Sequence, residues 1–548
     1  MKKNNYKSFN KNICMEKEIE LENFNYGVIN NKGSFLFLPL LYNSRYFGLL
    51  QYYNNNFIKI IEKIENKDIN YNEIEKVILK DYNDIKIIYK NGWEEYKLID
   101  NKLIYKTNKY STLNVYFDIR YLYDIDEWGR IYNNKKSNNY VKIKFNKGDL
   151  NYEVIIKGFE VYEELNKWVK VSYNYDLYRK SPPFERYLYL PFSFYAKELE
   201  IIYKNDKENL NGKDFIENRL LSFIYDNNIS AGFPWYFQEW SRDLLISLNG
   251  LYYINKDIVK NKLIEYSNYF LLDGRLKNIK NENVGNSDGI GLYIFRLFQF
   301  KDLFEKEIFD KLVNNIIEKL KLFEENYLDE KLFLFKAYPN ETWMDTLNRI
   351  YPIEIQFLMT NAYDNLYNYT KKDEYKEKLE KIKNSIRKNY LSDYSLYDDI
   401  KDKKIRCNVF LSYYFYPKIF SNYEWENIFD YSLTHLYLKW GGISSLSIFD
   451  KEFIPYSNED NYFKNEEKSM HNGDSWIFIN NIAAIDLYNL NKEKYENIIN
   501  SIIKADERLI KMIGTLPERS SAYELKPVGA LHQLWSISTY MELLNNIK

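Results

Sequence analysis

A chain of 548 residues exceeds the usual span of one domain, about 100–200 residues, so two or three domains with substantial cores are expected. Lys and Arg number 77 against 78 Asp and Glu, a net charge of −1, which leaves no basic excess to meet nucleic-acid phosphates or an anionic membrane. Two cysteines, Cys14 and Cys407, and three histidines, His435, His471 and His532, provide neither a disulfide framework nor a zinc-ligand spacing, so zinc hydrolysis is not expected and a reducing, cytoplasmic setting is.

Residues 1–16 read as a tail: the N-terminus, MKKNNYKSFNKNICMEKEIE over residues 1–20, begins basic but lacks an apolar run of signal-peptide length. No later stretch approaches the roughly 20 apolar residues that span a bilayer. From Lys17 to Asn205, short β-branched and aromatic runs alternate with turn residues, as in IKIIYKNGWEEYKLI (Ile85 to Ile99) and NYVKIKFNKGDLNYEVIIKGF (Asn139 to Phe159). Their Asn-Gly and Lys-Gly breaks are hairpin signals, and residues 17–205 are expected to form an antiparallel β-sandwich. The 18% aromatic content, with 55 Tyr, accompanies abundant Asn, Lys and Ile and reflects compositional bias, so by itself it identifies no ligand.

Past residue 205 the apolar period becomes 3.6. A lead-in helix is expected over Phe215 to Tyr225, with further helices starting near Ser241, Lys256, Asp288, Glu305, Pro352, Lys372, Arg406, Tyr423, Asp474, Lys492 and Pro527. Ile308, Phe309, Leu312, Val313, Ile316, Ile317 and Leu320 make one apolar stripe, and Tyr375, Leu379, Ile382 and Ile386 another. Long loops precede every second helix, an alternation that predicts helix hairpins in a closed ring, an all-α (α/α)6 toroid over residues 206–548. Acidic residues gather at these loops: Asp243, Asp288, Asp345, Asp398, Asp474 and Glu518.

Three stretches hold the candidate chemistry. In AGFPWYFQEWSRDLL (Ala231 to Leu245), Ser241 is a candidate N-cap and Asp243 sits in the first turn, where the helix dipole favours an anion. This is compatible with an ordinary capped helix carrying a surface Arg242. It is equally compatible with a polyol site in which Trp235, Tyr236, Phe237 and Trp240 flank one cation and one anion. In NETWMDTL (Asn340 to Leu347), Asp345 lies among bulky apolar neighbours whose desolvation raises a carboxyl pKa, as a general acid needs; it is also placed to cap the next helix, and Glu341 and Glu354 are rivals. In GTLPERSSAYE (Gly514 to Glu524), Glu518 either faces the ring centre, as Trp535 of the last helix should, or decorates a surface loop. Two carboxylates on opposite rims of one pocket are what glycoside hydrolysis requires. The phosphate-loop pattern G-x-x-x-x-G-K-[ST] and the nucleophile elbow G-x-S-x-G are absent, and GIGLYIF near Gly289 offers only G-x-G.

Taken in order, WSRD, SDGIGLYIF (Ser287 to Phe295), TWMD, GGISSLS (Gly441 to Ser447), MHNGDSW (Met470 to Trp476), LPE and HQLWS (His532 to Ser536) resemble the glucosidase domain of archaeal and bacterial glycogen debranching enzymes. NNKGSF (Asn30 to Phe35) and RYFGLL (Arg45 to Leu50) look like that family's β-sandwich domain. The resemblance implies an (α/α)6 toroid that hydrolyses α-1,6-linked glucose at branch stubs of glycogen or a similar α-glucan with inversion, without metal or cofactor. It places Asp345 as general acid, Glu518 as general base, and Arg242 and Asp243 on the hydroxyls of the terminal glucose. Trp240, Asp288, Trp343, His471 and Trp476 match pocket-lining positions. Ser241 stands where relatives commonly carry Gly, and Asp474-Ser475-Trp476-Ile477 where they carry Thr-Val-Trp-Pro, so Asp474 is an additional acid near the expected pocket. Two alternatives stay open: another toroid glucosidase, glucoamylase-like or trehalase-like, acting on a small α-glucoside, and an inactive glycan-binding scaffold.

Overall fold

In the computed structural model the two breaks fall at hairpin turns: Tyr89 faces Gly92 across Lys90 and Asn91, and Lys147 faces Leu150 across Gly148, whose φ is +58°. The structure describes residues 17–19, 26–30, 32–40, 42–81, 83–205, 212–226, 228–392, 394–456 and 466–547. The expected tail at 1–16, with Cys14, lies outside them. The chain divides into two units, one reaching to Phe237 and including Leu509–Leu516, the other comprising Gln238–Arg508 and Pro517–Lys548.

Thirteen of the described strands build one sheet in the first unit. They are β1 (Lys17–Ile19), β2 (Tyr26–Ile29), β3 (Ser34–Leu38), β4 (Gly48–Tyr53), β5 (Asn56–Asn66), β6 (Ile74–Asp81), β7 (Asp84–Tyr89), β8 (Gly92–Ile99), β9 (Lys102–Tyr121), β10 (Ile131–Lys136), β11 (Val141–Lys147), β12 (Leu150–Ser172) and β13 (Glu185–Tyr203). Every pairing is antiparallel, in the order β1-β6-β7-β8-β9-β13-β12-β11-β10, with β5, β4, β3 and β2 branching from β9. The long β9 makes the branch: Lys102 to Thr107 pair with β8, and Leu113 to Tyr121 pair with β5. The strands therefore form one continuous hydrogen-bonded sheet, and residues from both arms, such as Leu49, Ile60, Val77, Leu98, Val115 and Phe192, share one core. Helix α1 (Phe215–Leu221) follows, its first turn held by the Asp214 side chain accepting from the Glu217 N–H at 3.0 Å.

A buried charge cluster sits inside this unit. Asp118 is fully buried and accepts from Arg120 Nε at 2.7 Å, Arg186 Nη1 at 3.0 Å and Arg130 Nη1 at 3.2 Å. Two of the four aromatics read as companions of Arg242 are core here too. Trp235 packs on Tyr175 (5.0 Å between centroids) and Phe47 (5.5 Å), and Phe237 on Phe57 (4.9 Å), both at under a tenth exposure. A tryptophan in a dense aromatic run buries more apolar area against other rings than a sugar would cover.

The second unit is helical. Its described long helices are α2 (Ser241–Ile254), α3 (Lys256–Tyr266), α4 (Gly289–Gln299), α5 (Lys306–Tyr327), α6 (Ile353–Thr370), α7 (Asp373–Asn389), α8 (Asn408–Phe415), α9 (Asn422–Leu436), α10 (Ile477–Ile513) and α11 (Leu534–Asn546). Non-helical angles at Asn491 break α10 into two arms, matching the expected start near Lys492. The stripes hold: Phe309, Leu312, Val313, Ile316 and Leu320 of α5 and Tyr375, Leu379, Ile382 and Ile386 of α7 are buried, with Ile308 and Ile317 half-buried. Helices α2, α4, α6 and α8 pack in succession, Asn481 of α10 donates to Ser536 O and Thr539 Oγ1 of α11 (both 3.2 Å), and α11 packs on α2. That last contact depends on Gly250, where a Cβ would lie 2.2 Å from Ser538 Oγ, while Ser538 donates to Ser247 O at 2.5 Å. The helix expected from Pro527 starts only at Leu534, because Pro527–Val528 is used as a short strand pairing with Arg519–Ser520. No described helix is long and apolar enough to cross a membrane.

Candidate active site

The long loops and first turns ahead of α2, α4, α6, α8, α10 and α11 carry the six acids singled out in the sequence, and four of those six elements converge around Arg242. Trp240 is the N-cap residue of α2, and Ser241, expected there, is instead the first helical residue, its Oγ accepting from Asn286 Nδ2 at 3.0 Å. This turns Arg242 inward rather than onto the surface. Its Nε donates to Asp288 Oδ2 at 2.7 Å, and Nη2 to the Glu341 carbonyl at 3.3 Å. The carboxylates of Asp345 and Asp243 also act on it electrostatically.

Asp243 faces the other way along the rim. Gln533 Nε2, one residue ahead of α11, donates to its Oδ1 at 2.8 Å. Burial pushes its pKa up to about 7; Arg242 opposes that rise and the Glu518 carboxylate adds to it. The Arg242-Asp243 dipeptide thus senses Asp345 through one residue and Glu518 through the next.

Asp345 lies in the irregular segment between Phe335 and α6. Its surface is open to solvent, yet surrounding protein is dense enough for burial to be the leading cause of a raised pKa, against Arg242 and the N–H groups of Asp345 and Thr346. Those two properties coexist at the wall of a concave site. Its rivals are fully engaged elsewhere: Glu341 accepts from Arg275, Ser287 Oγ (2.5 Å), Tyr327 Oη (3.1 Å) and the Tyr338 N–H (3.1 Å), and Glu354 is gripped by Arg349 at 2.6 and 3.0 Å. Asp398 is likewise committed, accepting from Asn408 Nδ2 at 2.6 Å and Arg349 Nη1 at 3.3 Å.

Glu518 is held by backbone. The pairing of Ser475–Trp476 with Arg519–Ser520, and of the latter with Pro527–Val528, fixes its strand. Its N–H donates to Ala530 O at 2.7 Å, and the Ala530 N–H donates back to Glu518 Oε2 at 3.1 Å. Gly529 makes that loop possible: its φ is +76°, and a Cβ there would stand 2.0 Å from Oε2. Gly529→Ala is therefore expected to displace the carboxylate and lower kcat by about 100-fold, the scale of a 1 Å misplacement, with the helical circular-dichroism signal retained; unchanged turnover would contradict this placement. Arg519 Nε lies 3.9 Å from Glu518 Oε2, while Arg519 Nη1 pairs with the buried Asp474. The additional acid thus neutralises an arginine beside Glu518.

Of the aromatic candidates, Trp343, His471 and Trp476 form one cluster. Trp343 stands edge-on to His471 (5.5 Å) and Trp476 (5.4 Å), which stack on each other at 5.1 Å. Both indole donors are used within the protein, Trp343 Nε1 to Asn408 Oδ1 (2.8 Å) and Trp476 Nε1 to Met470 O (2.7 Å), while His471 pairs through Nδ1 with Thr346 Oγ1 (2.7 Å) and its buried Nε2 has no partner among the described residues. At 4%, 0% and 3% exposure they back the wall rather than stand free in it. Burial and the nearby Arg349, Arg406, Arg519 and Arg242 keep His471 neutral, its pKa well below the usual range. Trp240 is half-buried at the N-cap of α2. Gln533, Gly529, Ala530 and Arg519 escaped the sequence reading. Gln533 lies inside the HQLWS motif, and its place just ahead of a ring helix was the available signal.

Among the described residues no group of three or more His, Cys, Asp or Glu side chains is arranged to hold a metal ion. A search of curated proteins by sequence finds no match. Among solved structures, a bacterial glucoamylase complexed with acarbose aligns over 97% of this chain and 95% of its own, at 11% identity and a TM-score of 0.62. A mannosylglycerate hydrolase from Thermus thermophilus, in complex with Tris, aligns over 60% of this chain and 98% of its own, at 11% identity and a TM-score of 0.46. The first likeness establishes the fold, a β unit followed by an (α/α)6 toroid. The amylo-alpha-1,6-glucosidase family profile matches residues 210–542, which include every candidate site residue named above. The chain belongs to the amylo-alpha-1,6-glucosidase family of glycoside hydrolases.

Proposed function

We propose that this protein is an inverting, exo-acting glucosidase that releases glucose from α-1,6 branch stubs of glycogen or a similar α-glucan. The observation that carries the reading is the Arg242-Asp243 dipeptide, which is coupled to Asp345 on one side and to Glu518 on the other. A terminal glucose held by that dipeptide has both carboxyl groups within reach of its anomeric carbon. Asp345, whose protonated form burial favours, gives its proton to the glycosidic oxygen as the C1–O bond breaks. Glu518 takes a proton from a water on the opposite face, and that water's oxygen bonds to C1. The two carboxyl groups of an inverting enzyme are separated by about 6.5–9.5 Å to admit the water. The buried Asp288 anchors Arg242, and the Trp343, His471 and Trp476 cluster stiffens the wall behind it.

Proton NMR of a reaction with phosphorylase limit dextrin tests this directly. The first glucose to appear should be the β-anomer; initial α-glucose would refute inversion. The likeness in fold to a glucoamylase favours one second reading, hydrolysis of a small α-glucoside. Faster glucose release from maltose or trehalose than from limit dextrin would select it.

A further inference from the structure

The ring has a second cavity, at the end opposite the acids. Its volume is about 300 Å³, and it lies among the C-terminal portions of α2, α4, α8, the first arm of α10, and α11. At 1.5 Å per residue, the 11-residue α4 alone sets its two ends roughly 15 Å apart. The cavity is distinct from the Arg242 cluster.

What it presents is specific. Asp486 of α10 lines it, is 1% exposed, and its Oδ2 has no hydrogen-bond partner among the described residues. A buried, unsatisfied carboxyl oxygen costs free energy, about 1–3 kcal/mol or more, unless something enters to bond it. Glu542 of α11 is the other acid, and its needs are met: Tyr414 Oη donates to Oε1 at 2.8 Å. Arg296 lies behind them and is also spent, donating to Leu245 O (2.8 Å), Ile246 O (2.7 Å) and Tyr414 Oη (3.0 Å). Around Asp486 stand the side-chain amides of Asn489, of Gln299, whose Oε1 accepts from Arg296 Nη1 at 2.6 Å, of Asn546, whose Nδ2 donates to Glu542 O at 3.0 Å, and of Asn249, which bonds the Glu542 side chain, with Phe295 and Tyr413 giving aromatic surface.

The charges decide the class of ligand. Glu542 is countered by the Arg296 guanidinium, and burial, reinforced by Glu542, pushes the pKa of the Asp486 carboxyl well above the usual range. No Lys or Arg lines the cavity to hold a phosphate. Amides that both donate and accept, one carboxyl and a ring face instead suit a neutral polyol. The volume, at the low end for ligand sites, suits a single sugar ring.

We propose that this cavity is a second binding site that takes one neutral pyranose, such as glucose, through Asp486, the amides of Gln299 and Asn489, and the ring of Phe295. The site does not depend on the hydrolytic assignment. Its exposed rim, which includes Gln299 and Asn489, is open to solvent while Asp486 forms the floor.

Equilibrium dialysis of the full chain against radiolabelled D-glucose tests it. Asn489→Trp and, independently, Gln299→Trp should plug the mouth and remove one bound glucose per chain relative to wild type. Glucose release from limit dextrin should stay within about twofold, because neither residue touches the Arg242 cluster. Equal glucose binding by wild type and both variants, or none by wild type, overturns the proposal and leaves a cavity filled with water. Tetramethylammonium chloride should displace no glucose; displacement of the variant-sensitive equivalent would assign the cavity to an organic cation and overturn it as well. Since occupancy is counted without turnover, an inactive protein that still loses one equivalent in the variants would refute only the hydrolytic reading.

Discussion

Asp345→Asn and Glu518→Gln are each expected to lower kcat for glucose release by about 10²–10⁴-fold, the usual contribution of a positioned general acid or base. Both replacements keep shape and remove the proton function. For Asp345 a second readout separates chemistry from architecture. Burial raises its pKa above the unfolded value of about 3.9. The folded state therefore binds more protons than the unfolded state as pH rises from there, and wild-type stability declines across that window up to the folded pKa. The Asn variant has no such titration, so at pH 8 its Tm should equal or exceed that of wild type, despite the loss of activity. The same raised pKa sets the alkaline limb of kcat/KM, where Asp345 loses the proton it must donate. Turnover within tenfold of wild type in either variant would remove that residue from the chemistry, and a Tm fall of many degrees in Asp345→Asn would make it a structural acid.

The helical half of the fold was the more legible one, and for a physical reason. A helix advertises itself within one segment: the α5 and α7 stripes repeat every 3.6 residues and end in the expected buried faces. Its rim loops were legible as well, since acids just ahead of successive ring helices fall on one end of the ring. Legibility failed where one residue type serves two purposes. Trp235 and Phe237 looked like sugar-stacking surface because their neighbours were aromatic, but aromatic neighbours are also what a core provides, and only the register of β3 to β5 settles which rings they meet. The Pro527 start failed for the opposite reason: apolar residues there are recruited to a strand pair that exists to hold Glu518, a contact with Arg519 and Ser520 that no local period encodes. Gly529 is the clearest case. Its value lies in the absence of a Cβ opposite Glu518 Oε2, which becomes visible only once the loop is closed.

The largest stability effect is expected in the first unit, at Asp118. Burial alone would raise its pKa, but Arg120, Arg186, Lys59 and Arg130 outweigh that and hold its carboxyl well below the usual range. Removing it strands guanidinium groups with no water to replace the lost partner: Arg120 and Arg186 are each about 1% exposed or less. Breaking a buried pair in this way costs about 3–5 kcal/mol, so Asp118→Ala should lower the Tm of the β unit by roughly 6–20 °C in calorimetry at pH 7. The sign with pH follows from the depressed value. Stability from Asp118 is complete above its unfolded pKa of about 3.9 and is lost as pH falls toward the folded one, so the gap between wild type and Asp118→Ala should narrow as the scan is repeated at pH 3 and below. Lys136→Ala is the control. Its pair with Glu164 is exposed on both sides, where screening by solvent leaves little net attraction, and its Tm should match wild type. A loss at Asp118 no larger than at Lys136 would mean that the buried arginines find other acceptors, and that the Asp118 cluster is not what fixes β9 against β13.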